Sequence, residues 1–231
     1  MSESVAGRLA EIRRRIEEAC RRRGRSAGEV RLLAVSKRQP MERIREAIDA
    51  GHRCFGENQV QEAVAKAADL PPDLEWHMIG PLQSNKVKPA ARLFDAVHSL
   101  DRPKIARLLH KEAARLDRRI EVFVQVNVGD EPSKHGYSVD DFETEVRPLA
   151  ELEHLRVVGL MAIPPFEEDP ERARHWFAEL RRLRDRAASW PEWSEFPGRL
   201  SMGMSHDFEI AIEEGATDVR VGTDIFGPRP S

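Results

Sequence analysis

An α/β chain folded as a single (β/α)8 TIM barrel with an extra N-terminal helix is predicted by three observations. Eight short apolar runs recur along the sequence, seven of them followed by a helical pattern. The 231 residues are enough for one such barrel, and residues 1–231 show no composition break, long linker or low-complexity tract that would divide them. No Gly-x-Gly-x-x-Gly or phosphate-loop motif follows any strand, which counts against the competing open, doubly wound sheet.

In order, Val5, Leu9, Ile12, Ile16 and Ala19 place one apolar stripe on a helix over 4–23, stopped by Gly24. The first strand spans 31–36. Its apolar residues run unbroken from Leu32 to Val35, as in a strand covered on both faces, and Lys37 stands at its carboxyl end. Pro40 then opens a helix over 41–50 that Gly51 ends. Strands follow at 53–55, 75–79 and 94–99, and helices at 60–68 and 84–93. Asp101 is read as the cap of a helix carrying Pro103 in its first turn. The second half repeats the alternation. Strands are predicted at 120–128, 155–163, 200–204 and 218–221. Helices are predicted over 138–152, after Asp169-Pro170, and from a Ser205 cap to Gly215.

Composition narrows the function classes. Lys and Arg number 37 against 40 Asp and Glu, a net charge of −3, so no general attraction to nucleic acid or anionic membrane is expected. The triplets Arg13–Arg15 and Arg21–Arg23 sit among glutamates on an amphipathic pattern and read as a solvated face. Two lone cysteines, Cys20 and Cys54, form neither a disulfide framework nor a zinc spacing. With no signal-peptide pattern and no long apolar run, a cytoplasmic protein is expected. The eight histidines include no His-x-His or His-Glu-x-x-His pair, so no metal site is expected, and His77 and His98 read as satisfied core histidines.

In a barrel the chemistry lies where strands end. Those ends carry Lys37, Glu57-Asn58, Gly80-Pro81, His98-Ser99, Asn127, Met161, Met202 to Ser205 and Gly222-Thr223. A lysine at the tip of a buried strand suits an amine with a lowered pKa, able to form a Schiff base. The loops after strands seven and eight, with Gly203, Ser205, Gly222 and Thr223, suit either a phosphate site or merely a capped helix and a tight turn. Arg220 shares a strand face with Gly222. If that face is the interior, Arg220 is a buried cation, serving either a structural salt bridge or a ring acceptor.

Assembled in order, Leu33-Ala-Val-Ser-Lys37, Phe55-Gly-Glu-Asn-Gln59, His77-Met-Ile-Gly-Pro-Leu-Gln-Ser-Asn-Lys86, Gly159-Leu-Met161, Leu200-Ser-Met-Gly-Met-Ser205 and Val219-Arg-Val-Gly-Thr223 resemble the pyridoxal phosphate homeostasis protein family from about residue 5 to 230. The resemblance implies a fold-type III barrel similar to the N-terminal domain of alanine racemase. It implies pyridoxal 5'-phosphate held by Lys37 as an internal aldimine. Ser205, Gly222 and Thr223 would hold the phosphate, Arg220 would face the pyridine nitrogen, and Asn58 would line the ring pocket. Arg38 and Asp224 depart from the residues common in that family.

Four functions follow as expectations. The first is a carrier or homeostasis protein for pyridoxal phosphate without robust catalysis. An arginine at the ring nitrogen disfavours its protonation and weakens the electron sink. Tyr137 is the only tyrosine, and a racemase-like second domain is not expected. The alternative is a weak pyridoxal-phosphate-dependent amino-acid racemase. The remaining two are a Schiff-base aldolase acting on a sugar phosphate and a scaffold without cofactor. Expected partners are pyridoxal phosphate, apoenzymes that need it and free amino acids, and the expected state is a monomer. Lys86 and Lys134 stand as candidate secondary amines.

Overall fold

A computed structural model describes residues 4–131 and 135–228. Eight parallel strands close into a barrel in sequence order. They are β1 (Arg31–Val35), β2 (Cys54–Glu57), β3 (Glu75–Met78), β4 (Ala96–Leu100), β5 (Ile120–Gln125), β6 (Leu155–Met161), β7 (Arg199–Met204) and β8 (Asp218–Val221). The seam is made by β8 against β1, with Arg31 opposite Asp218 and Leu33 opposite Arg220.

The helices are α1 (Val5–Arg22), α2 (Met41–Asp49), α3 (Val60–Ala68), α4 (Val87–Leu93), α5 (Pro103–Arg115), α6 (Phe142–Val146), α7 (Arg174–Ala187), α8 (Phe208–Glu213) and α9 (Thr223–Phe226). Ser4 caps α1 by accepting the Gly7 N–H, and Gly24 follows its end with φ of 64°. The predicted stripe of α1 is buried. Arg15 on its other side bridges Glu209 of α8 and Asp224 of α9, which ties the leading helix across the last two. Asp169 caps the 3-10 turn that leads into α7, as its Asp-Pro pair predicts.

Strand alternation divides the apolar residues between two places. Leu32, Ala34, Phe55, Trp76, Val219 and their like join the helices in one large core. Leu33, Val35, Cys54 and Ile79 form a separate group inside the barrel, and Phe123, Val158 and Met161 another.

Several expectations are corrected. The last strand is not bare, because the one-turn α9 follows it. The helix expected over 138–152 is α6 alone, continued as a 3-10 turn over Arg147–Glu151. Pro148 has no N–H for the regular helical ladder. The cap position of α5 belongs to Arg102, and the Asp101 carboxylate instead accepts from Arg102 and meets His135. Ser205 does not cap α8. That helix starts three residues later, and the Asp207 carboxylate accepts the Met204 N–H at 2.7 Å, closing the intervening turn. Strand β5 ends at Gln125, so Asn127 lies past it and bonds its own loop at Glu131. No described helix is long and apolar enough to cross a membrane.

Candidate cofactor site

A cleft of ≈ 280 Å³ opens at the carboxyl ends of the strands, and its lining includes Lys37, Asn58, Ser205, Arg220, Gly222 and Thr223. All six sequence-predicted site residues are therefore brought to one place, from just past β1, the loops after β2 and β7, and β8 with the residues that follow it. Val35, Gln39 and Ile79 complete the inner wall, and Ile163, Phe166, Met204 and His206 form an outer side. Phe166 packs beside the His206 ring, whose Nε2 donates to the Glu167 and Glu168 carbonyls.

Lys37 is half-buried two residues past β1. The backbone on both sides of it is held. Arg38 has φ of 55°, an unusual conformation for a residue other than glycine, and its N–H donates to Glu62 Oε1 at 2.5 Å. Lys66 of α3 donates from Nζ to the Ser36 carbonyl, Glu57 Oε1 and Glu62 Oε1, each at 2.7 Å. Ser36 Oγ also donates to Glu57 Oε1, at 2.6 Å. Burial pushes the Glu57 carboxyl up from its ordinary value, against the opposing pull of Lys66 and Ser36. Sequence reasoning missed Lys66 and Glu62. The signal was present, because Val60, Ala63 and Lys66 step by three along the buried side of a short helix, where a lysine needs a partner.

Arg220 is buried among neutral hydrogen-bond partners. Its Nη1 donates to Ser201 Oγ at 2.7 Å and its Nη2 to the Ala162 carbonyl at 3.0 Å. Burial draws its pKa down to about 10, with Asp207 and Asp218 favouring the charge, so it remains a cation at neutral pH. Of the two readings left open by the sequence, a direct salt bridge does not account for these partners.

Two glycines shape the cleft. A Cβ on Gly80 would lie 2.4 Å from the Asn58 carbonyl oxygen, so only glycine lets the β3 end approach the Asn58 loop. Gly203 has φ of 92°, and a Cβ there would lie 2.6 Å from Ala211 Cβ. That glycine serves the seating of α8 on β7, which adds a packing reason to the phosphate approach suggested by the sequence.

The residues present fit a phosphorylated aldehyde with a pyridine ring. The cleft combines one primary amine, two hydroxyls and a buried guanidinium. Among the described residues the buried Asn58 Oδ1 has no hydrogen-bond partner, an acceptor such a ligand can satisfy. Lys86 lines a different cleft with Gln59 and Gln83, and Lys134 lies outside the described residues. Tyr137 is buried and is not part of the lining.

Comparisons with known proteins identify the family. Residues 8–230 match the family model described as alanine racemase, N-terminal domain. A pyridoxal phosphate homeostasis protein of Aquifex aeolicus is 45% identical over 223 residues, covering 96% of this chain and 97% of that one. Its namesake in Pseudomonas aeruginosa is 46% identical over 231 residues, covering 98% and 96%. The structure of PipY from Synechococcus elongatus with PLP bound superposes with a TM-score of 0.84 at 38% identity, over 97% of this chain and all of that one. Alanine racemase of Corynebacterium glutamicum shares the fold, with a TM-score of 0.70 at 18% identity over 98% of this chain and 62% of its own length. The chain belongs to the alanine racemase N-terminal domain family and, within it, to the pyridoxal phosphate homeostasis proteins.

Proposed function

We propose that this chain binds pyridoxal 5'-phosphate in the Lys37 cleft and serves its intracellular homeostasis or carriage. The observation that carries the reading is the convergence of Lys37, Arg220, Ser205 and Thr223 on one cleft beside the unpartnered Asn58 Oδ1. Pyridoxal phosphate supplies an aldehyde that condenses with an amine. Lys37 is the amine in reach, and the pins on Ser36 and Arg38 limit where it can point. Ser205, Gly222 and Thr223 take the phosphate, Asn58 borders the ring, and Arg220 directs a permanent donor at the ring nitrogen. A cation at that position opposes protonation of the nitrogen and weakens the electron sink that racemisation requires. Tyr137, lying outside the cleft lining, supplies no acid on a second face. These features favour retention and release over turnover. Apoenzymes that need the cofactor and free amino acids are the partners this role implies, in the cytoplasm and with the barrel acting as a monomer.

The test is direct. Protein incubated with pyridoxal phosphate and desalted should be yellow. Borohydride should bleach it and leave a permanent adduct on the Lys37 peptide. Lys37→Ala should remain colourless. A wild-type protein that takes up no pyridoxal phosphate overturns the proposal.

A further inference from the structure

Inside the barrel, beneath the cleft, a row of polar groups starts at Arg220 and continues through residues that the binding reading does not use. Arg220 Nη1 lies 2.7 Å from Ser201 Oγ, and Ser201 Oγ lies 2.7 Å from His98 Nδ1. His98 Nε2 is 2.8 Å from His77 Nδ1, and His77 Nε2 is 2.9 Å from Glu75 Oε1. The row crosses from β8 and β7 to β4 and β3. Ser201, His98 and His77 are wholly buried, whereas the Glu75 side chain is 39% exposed at the opposite end of the barrel. The His98 ring is stacked on Phe123 with centroids 4.1 Å apart, which fixes its plane.

The two ends fix the direction of the bonds they make, and the hydrogen-bonding capacity of Ser201 fixes the rest. A guanidinium only donates, and an ionised carboxylate only accepts. Glu75 is held down to about 2, first by its His77 hydrogen bond, and is ionised at neutral pH. His77 Nε2 must therefore carry a proton. Arg31, 3.5 Å from the same nitrogen, binds the Glu75 carboxylate and does not compete for that role. Burial keeps His98 neutral, so it has a single N–H. With one N–H on each ring, His77 Nδ1 accepts from His98 Nε2–H. His98 Nδ1 then accepts from the Ser201 hydroxyl, whose oxygen accepts from Arg220. The reverse order would make Ser201 Oγ accept twice and leave its proton without a partner among the described residues.

We propose that Arg220, Ser201, His98, His77 and Glu75 form a one-way chain of hydrogen bonds, each donating to the next, and that His77 and Glu75 are positioning residues for the cleft at the other end. Ser201 is a stronger acceptor for Arg220 while its own proton is engaged by His98. The chain thus couples the exposed carboxylate at the closed end of the barrel to the orientation of the guanidinium that lines the cleft. Its polarity stands on the protein alone. Its consequence for the bound cofactor rests on the reading given under Proposed function.

The nitrogen-15 spectrum of histidine-labelled protein without added cofactor tests the polarity. Both His77 and His98 should carry a single N–H, at Nε2. Either ring protonated at Nδ1 alone, or found as an imidazolium, overturns the chain. His77→Leu should turn His98 into its Nδ1–H form. It should also shift the absorbance of the pyridoxal-phosphate-loaded protein and weaken retention roughly tenfold. His77→Gln, which can accept from His98 and donate to Glu75, should restore the wild-type values. Glu75→Leu should shift the absorbance as His77→Leu does, and an unshifted spectrum overturns the role of Glu75. Should His77→Leu fail to fold, the wild-type tautomers and Glu75→Leu still decide. A wild-type protein that takes up no pyridoxal phosphate overturns the binding reading and the positioning role together, while the tautomers judge the chain separately.

Discussion

Leu33 of β1 and Arg220 of β8 are register partners across the seam that closes the barrel. That pairing carries Lys37, four residues beyond Leu33, to the same end as Gly222 and Thr223, and all of them line one cleft. Residues more than 180 positions apart in sequence become neighbours because the eighth strand bonds the first.

Replacing Lys37 should separate binding from folding. Lys37 is half-buried at the end of β1 and outside the main core. Lys37→Ala should change the unfolding free energy by no more than about 0.5 kcal/mol. Denaturant titration measures that change, and absorbance after desalting should show that covalent uptake is abolished.

Lys66→Met should be severely destabilising, by about 3 kcal/mol at pH 7, because it strands the buried Glu57 carboxylate. With Lys66 gone, burial and the Glu62 charge hold the Glu57 carboxyl above its unfolded value, opposed only by the Ser36 hydrogen bond. A raised carboxyl pKa contributes stability below the unfolded pKa and loses it as pH rises through the folded one. The deficit of the variant should therefore shrink as pH falls towards 4.5. Adding Glu57→Gln should recover much of it at pH 7, a coupling that a double-mutant cycle reads.

Gly80→Ala should cost about 2 kcal/mol and weaken pyridoxal phosphate retention, since the new Cβ meets backbone of the Asn58 loop that has to move. Paired denaturation and retention measurements test both effects. Unchanged retention would mean that Asn58 does not border the ligand.

Acid should act through His52. This residue is buried, and its Nε2 donates to the Cys54 carbonyl at 2.7 Å. Burial lowers its pKa to about 4. A histidine with a depressed folded pKa leaves the protein at full stability above its unfolded value of about 6.5, and stability falls as pH drops towards 4. The loss over that window is about 3 kcal/mol. His52→Gln, which keeps a donor to the carbonyl, should flatten this part of the stability–pH curve.

Local patterns carried most of the fold. The unbroken Leu32–Val35 run, the stripe of α1 and the alternation of β with α are each properties of a few neighbouring residues, and each appears where expected. Cap positions were less legible. Asp101 and Ser205 are good capping types, yet the loops before α5 and α8 engage Asp101 with Arg102 and His135 and close on Asp207.

The sequence by itself determined the barrel, the lysine at the first strand tip and the set of residues on the last two loops, because period, strand ends and ordered motifs are written in contiguous residues. Only the tertiary structure decided how they are held. The pins of Lys66 and Glu62 around Lys37, and the row from Arg220 to Glu75, join side chains from different strands and helices. Buried polar groups must find partners wherever the closed barrel brings them, and that choice is made by three-dimensional proximity and not by spacing along the chain.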